Sequence, residues 1–401
     1  MSIQRNYTHT LYASYLGFVT QAIINNFAPL LFLVFQRQMG VPLEQITLLV
    51  SLNFVVQLIV DALSARFVDK LGYRFCAVGA HILATVGLAT LGILPQLFAN
   101  PFIGLLIAVV LYAIGGGLLE VLVSPIVEAC PTTQKEAAMS LLHSFYCWGH
   151  VFVVLASTAF FAIFGVEHWP VMAFLWALLP LGNAIYFSQV PIASLTDGQK
   201  GMTINILLKN KLFWLFALLM VCAGSSEQGM SQWASAFAES GLKVSKTIGD
   251  LAGPCMFAAL MGLSRVLYAK MSERIPLVKV MVASAILCVA GYLLASLVRE
   301  PVVSLIGCAL VGFSVGVFWP GTFSLASASN PKGGTAMFAL LALAGDLGCA
   351  SGPGTVGLVA NAAGGELRFG LLVAICFPIL MLAGLWLRSH VKERNVAVDK
   401  A

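Results

Sequence analysis

Apolar runs of about twenty residues or more, the length an α-helix needs to cross a bilayer core of roughly 30 Å, recur along the whole chain. Short breaks carrying charges, glycines and prolines separate them. Runs such as Ile103–Leu119 are too long and too uniform for the alternating strands of a membrane β-barrel. The pattern predicts an all-α membrane protein with twelve transmembrane helices, near 11–35, 44–66, 74–96, 102–126, 138–164 and 170–189 in the first half and 212–234, 249–270, 279–298, 301–328, 335–362 and 369–388 in the second. An even number of spans places both termini on one side.

Basic residues set the expected orientation. With the termini cytoplasmic, only Arg37, Lys243, Lys246, Arg299 and Arg368 of the 22 lysines and arginines face outward, as the positive-inside rule requires. The longest cytoplasmic connection, Ser188–Lys211, is polar and divides the chain into a six-helix bundle at 1–189, a linker at 190–211 and a second bundle at 212–401. The halves echo one another: a short basic turn follows span two (Ala65–Arg74, ARFVDKLGYR) and another follows span eight (Ser264–Arg274, SRVLYAKMSER). Two pseudo-symmetric bundles around a midplane site is transporter architecture.

Composition narrows the function classes. The 401 residues are 59% hydrophobic and 10% charged, outside the range of soluble domains. A net charge of +5, dispersed over short loops, gives no nucleic-acid footprint. The nine cysteines stand singly, with no CxxC pair and no histidine at ligand spacing, so no metal and no disulfide framework is expected. No phosphate-binding GxxxxGK[ST] occurs, and the loops are too short for a nucleotide domain. The six histidines show no convergent spacing with Asp or Ser, which argues against an enzyme, and a sensor would want a larger extramembrane domain. The expected partners are the lipid bilayer and a small-molecule solute. The chain is expected to act as a monomer in the cell's inner membrane, with no cofactor beyond a proton as coupling ion.

Charge inside the spans is the main chemical signal, since an ionisable group at the bilayer centre costs about 2.5–3.5 kcal/mol on insertion scales. Glu120, Glu227 and Asp346 each sit in an apolar stretch. Glu120 follows Gly115, Gly116 and Gly117, where helices approach closely or bend; it reads as a proton-exchanging carboxyl, or as a neutral acid bonded to a neighbouring helix. Glu227 and Gln228 lie in the polar segment CAGSSEQGMSQW, with Trp233 six residues on as a stacking ring or an interfacial anchor. Gln21, Asn25 and Asn26 share one face of span one and suit hydroxyl recognition. His143 in span five carries the group whose ordinary pKa of about 6.5 suits proton work, although a lone intramembrane histidine is often a packed one. Trp319, beside Pro320, is a stacking or a packing ring. Asp346 lies in LALAGDLGCASGPG, a run that also suits close helix packing. Asp61, Ala65 and Asp69 at i, i+4 and i+8 share a helix face near the cytoplasmic end.

The loop Ala65–Arg74 resembles the signature of the major facilitator superfamily, G-x-L-A-D-R-x-G-R-R, matching at Asp69, Gly72 and Arg74, with Ala65 in place of the first glycine and Lys70 in place of an arginine. The resemblance implies the major facilitator fold and a cytoplasmic gate around Asp61, Asp69, Gly72 and Arg74. GGGLLEVLVSP (Gly115–Pro125), LLHSFYCWG (Leu141–Gly149), EQGMSQW (Glu227–Trp233) and FWPGTFSL (Phe318–Leu325) are similar to the fucose permease-like sugar symporters. That branch implies proton-coupled import of a sugar or polyol by alternating access, with Glu120, His143, Glu227, Gln228, Trp233 and Trp319 toward the solute and Glu120 as the coupling carboxyl; Gln21, Asn25, Asn26 and Asp346 are expected there on their own chemistry. Asn26 stands where the branch tends to carry an acid. The rival within transport is a proton-driven exporter of amphipathic compounds. Its G-x3-G-P signature is missing from span five and echoed only at Gly348, Gly352 and Pro353 in span eleven.

Overall fold

In a computed structural model, which describes residues 6–131, 135–193, 204–271, 274–330 and 334–398, the regular elements are helical. Eleven helical stretches among the described residues are long and apolar enough to cross a membrane: Tyr7–Met39, Leu43–Ser64, Tyr73–Leu97, Pro101–Val127, Leu141–Phe164, Val166–Gln189, Lys211–Gly241, Lys246–Tyr268, Leu277–Leu297, Pro301–Ala326 and Leu367–Arg388. At the expected eleventh span the chain forms a further helix, Gly334–Ala362. Large apolar side chains such as Phe75, Leu97, Ile163 and Trp386 are exposed on the helices, as a hydrocarbon solvent allows.

Several spans are broken, each for a local reason. Span one is α-helical over Tyr7–Asn26, passes through a tight 3-10 turn at Ala28–Leu31 and resumes at Phe32–Met39. Pro29 lacks an N–H, and the Asn26 side chain bonds back to the Ala22 carbonyl at 2.9 Å, a local competition that bends helices. Span seven leaves α geometry after Ser231 and ends in a π-helical turn, Phe237–Gly241. Span eight begins with one α turn, Lys246–Asp250, widens into a π-helical turn at Leu251–Cys255 around Pro254, and continues as Met256–Met271. Arg265, where the expected span 249–270 overlaps the basic turn Ser264–Arg274, lies inside a span, and Lys246 is the first residue of one.

Two compact units result: Met1–Asp197 with Val244–Ala258, and Gly198–Lys243 with Ala259–Ala401. Inside the first, span three packs on spans four and six, and span one on spans four, five and six. Inside the second, span nine packs on ten and twelve, and span seven on ten, eleven and twelve, the same scheme repeated. Helix starts repeat as well. Pro101 and Pro301 each open a helix behind a side-chain cap, Asn100 accepting from the Phe102 N–H at 3.1 Å and Glu300 from the Val303 N–H at 2.8 Å.

Buried polar groups in both units are matched across helices. His81 Nδ1 meets the Ala77 carbonyl at 2.7 Å and its Nε2 meets Asn183 Nδ2 at 2.7 Å, while Asn183 also donates to the Ala13 carbonyl at 3.0 Å. Spans three, six and one are thereby pinned together. In the second unit the Tyr292 hydroxyl donates to the Ser226 carbonyl at 2.8 Å.

Glycine sets how closely spans seven and eleven approach. A Cβ at Gly348 would collide with the Val221 carbonyl, and one at Gly352 would lie 2.5 Å from the Ser225 carbonyl. Ser225 Oγ donates to the Gly348 carbonyl at 3.0 Å, and the indole N–H of Trp233 donates to the Pro353 carbonyl at 3.0 Å. The Gly348–Pro353 run thus has a packing role. Gly348→Leu should abolish a monodisperse peak in size-exclusion chromatography. Gly182→Ala, where nothing lies within 4 Å of the added methyl, should leave the peak and the melting temperature intact.

Candidate functional site

In the first unit, polar side chains gather just before the break in span one. Gln21 Nε2 donates to Glu120 Oε2 at 2.6 Å, joining spans one and four. Asn25 Oδ1 accepts from two amides of span two, Asn53 Nδ2 at 3.1 Å and Gln57 Nε2 at 2.8 Å. Asn26 Nδ2 lies 3.5 Å from the Tyr146 hydroxyl of span five. Gln21, Asn25, Asn26, Asn53 and Gln57 are all buried, and Glu120 is half-buried.

Glycine explains how these groups meet. A Cβ at Gly115 would press on the Ala80 carbonyl at 2.6 Å, and one at Gly117 would lie 2.9 Å from Gln57 Cα. The three glycines let span four seat against spans two and three, one turn before Glu120. His143 is exposed on span five, its ring tilted against Phe18 with centroids 5.3 Å apart.

At the far end of span two, Gly72 ends the helix Leu43–Leu71 with φ +87°, a backbone shape that side chains resist, and its N–H bonds the Val68 carbonyl at 2.8 Å. Arg74 Nη1 donates to the carbonyls of Phe187 at 3.2 Å and Ser188 at 2.7 Å, satisfying the free end of span six. Asp61 is half-buried one turn beyond Gln57. The side chain of Asp69 lies outside the described residues.

In the second unit, a directional chain runs along span seven. Gln232 Nε2 donates to Gln228 Oε1 at 3.0 Å, and Gln228 Nε2 donates to Glu227 Oε1 at 3.3 Å. The other carboxylate oxygen of Glu227 faces Arg265 Nη2 of span eight at 4.0 Å, and Arg265 Nε donates to the Gly316 carbonyl at the break in span ten. Trp233 is fully buried, with its ring among helices and not at an interface. Trp319 is half-buried, and its indole tip covers Gly345, where a Cβ would collide with it. Asp346, the next residue along, is buried.

Sequence reasoning missed Asn53, Gln57 and Arg265 as site groups. Asn53 and Gln57 form, with Asp61, an i, i+4, i+8 polar stripe in an apolar span, a legible signal. Arg265 was obscured by its basic neighbours, which made the end of span eight read as a loop. The Glu227–Arg265 pair generates a stability test. Arg265→Leu should cost about 3 kcal/mol by removing the cation beside a buried carboxyl, and Glu227→Gln should cost less, since Arg265 keeps the Gly316 carbonyl. The double substitution should recover most of that loss in thermal denaturation; strict additivity would show that the two side chains are not coupled.

Comparison with known proteins bears on the fold. No curated protein matches the chain by sequence. Among solved structures, it is similar to an inward-facing bacterial homologue of the human lysosomal transporter Spinster, at 16% identity and TM-score 0.76, over 96% of this chain and 98% of that one. It is similar to the nucleoside transporter NupG (14%, TM-score 0.74, 94% and 98%) and to the E. coli fucose:proton symporter FucP (16%, TM-score 0.65, 96% and 99%). At such identities the likeness concerns the fold, which several transporter branches share. The Major Facilitator Superfamily model matches residues 13–353, so the chain belongs to that superfamily and is a multi-pass membrane transporter.

Proposed function

We propose that the chain imports a small polar solute, a sugar or polyol, by proton-coupled alternating access. The bond between Gln21 and Glu120 carries this reading. It places a carboxyl beside a buried array of neutral amides, Asn25, Asn26, Asn53 and Gln57. Neutral donors and acceptors of this kind read hydroxyl groups, whereas an exporter of amphipathic compounds would want a more apolar lining. The run Gly348–Pro353, which pointed toward export, is accounted for by its contact with span seven. The fold is shared with a fucose:proton symporter, so it accommodates such chemistry.

In this reading, 1–189 and 212–401 are the two moving bundles of a twelve-helix monomer in the inner membrane, joined by the cytoplasmic segment 190–211, with both termini cytoplasmic. Asn25, Asn26, Glu227, Gln228 and Asp346 face the solute, His143, Trp233 and Trp319 support the cavity, and Asp61, Asp69, Gly72 and Arg74 form the cytoplasmic gate. Glu120 exchanges the proton. An amide partner tolerates both states of that carboxyl: the NH2 of Gln21 serves the carboxylate, and its carbonyl serves the acid after the amide turns over.

The test is uptake of a panel of labelled sugars and polyols into proteoliposomes, with the outside made acidic or left at the inside pH. Accumulation of a panel member should require the gradient. Glu120→Gln should abolish gradient-driven accumulation while leaving solute exchange across the membrane measurable. Unchanged accumulation by Glu120→Gln removes Glu120 from coupling, and expulsion of a hydrophobic dye with no sugar uptake overturns the import reading.

A further inference from the structure

Lys246 is a cation at the start of a membrane span, where sequence alone would put it in a loop. Its ammonium has three kinds of partner, all inside the first unit. It donates to the Leu30 carbonyl at 2.6 Å, pairs with Asp250 one turn along at 3.0 Å, and lies 5.6 Å above the centre of the Phe161 ring. Asp250 in turn is fully buried and accepts from Thr158 Oγ1 at 3.4 Å. Lysine and aspartate side chains are 19% and 1% exposed, so the pair is shielded from solvent screening.

The position of Leu30 gives these contacts a consequence. Leu30 belongs to the turn Ala28–Leu31 that interrupts span one immediately after Asn25 and Asn26. A helix break at membrane depth leaves carbonyls that must find donors within the protein. Here the donor comes from span eight, far along the chain. The same stretch of span eight is set apart from the rest of its half. Val244–Ala258 clusters with the first unit, whereas its flanks, up to Lys243 and from Ala259, cluster with the second. Lys243 takes a left-handed backbone, φ +60°, at one junction, and the π-helical turn Leu251–Cys255 with Pro254 precedes the other. Both are local departures of the sort that let a segment change direction, and π-helical turns often mark functional positions.

We propose that Lys246 is a positioning residue that fastens Val244–Ala258, as a strap, to the break in span one. The strap seals the face of the first unit that carries Lys246, and its release frees both the start of span eight and the turn beside Asn25 and Asn26. The ion pair, the carbonyl and the Thr158 hydroxyl act together, because removing the ammonium takes a partner from the buried Asp250 carboxylate and from the Leu30 carbonyl at once. This inference stands on geometry within one unit and does not depend on which solute is carried.

Hydrogen exchange followed by mass spectrometry on the full chain in lipid nanodiscs tests the fastening. Lys246→Gln should raise exchange about tenfold, through local opening, in peptides covering 27–33 and 244–258 together, and leave Tyr73–Leu97 unchanged. Lys246→Arg should restore protection in both stretches, and Thr158→Val should give a smaller rise in 244–258 alone. Should Lys246→Gln not be recoverable, Asp250→Asn carries the same test, with a joint rise in 27–33 and 244–258 expected. The seal is read separately, by labelling half-buried Cys255 with a membrane-impermeant maleimide in a variant lacking the other eight cysteines. Lys246→Gln should label faster than its parent. Unchanged exchange at 27–33, or a uniform rise across the first unit, overturns the fastening; unchanged labelling of Cys255 overturns the seal.

Discussion

Water is absent from the bilayer core, so every polar group a span keeps must be answered from within the protein. That constraint organises both units. Where helices run unbroken, backbone groups answer each other. Where they break, a side chain from elsewhere supplies the missing partner: Lys246 at Leu30 in span one and Arg265 at Gly316 in span ten. Arginine and lysine, costly in hydrocarbon, are thus placed where they satisfy a carbonyl as well as a carboxylate. Arg368 repeats the pattern at a helix end, donating to the Ser296 and Val298 carbonyls while its guanidinium lies 5.6 Å from the Phe237 ring.

Broken helices concentrate polar side chains for the same reason. Gln21, Asn25 and Asn26 lie in the last two turns before the break in span one, and Glu227 and Gln228 in the last two turns before the break in span seven. A regular apolar helix offers such groups nothing to bond to. Beside a break, and against helices brought close by glycine, they find amides, hydroxyls and carbonyls at 2.6–3.5 Å.

The helices were legible because a span is a long statement: some twenty apolar residues agree with one another, and a few contrary residues do not hide them. The breaks were not, because they turn on single residues such as Pro29, whose effect depends on what lies across the interface. Glu120 stood out as a carboxyl in an apolar run, and Gly115–Gly117 announced the close approach that brings Gln57 near. Asn53 and Gln57 are neutral and cost little, so they raised no alarm, although their four-residue spacing marked a face. Arg265 failed for a different reason. Its charge was visible, but a cation near other cations reads as a loop until its partner, 38 positions earlier in the chain at Glu227, is seen beside it.

The two units share a packing scheme and differ in what they set against Glu120 and Glu227. Glu227 faces a half-buried guanidinium at 4.0 Å and accepts from Gln228. The contact joins spans seven and eight. Glu120 meets the neutral amide of Gln21, which can serve a carboxylate or an acid by turning over. The repeated packing scheme does not repeat the carboxyls: Glu120 lies in span four and Glu227 in span seven, and each meets a different partner, an amide from span one and a guanidinium from span eight.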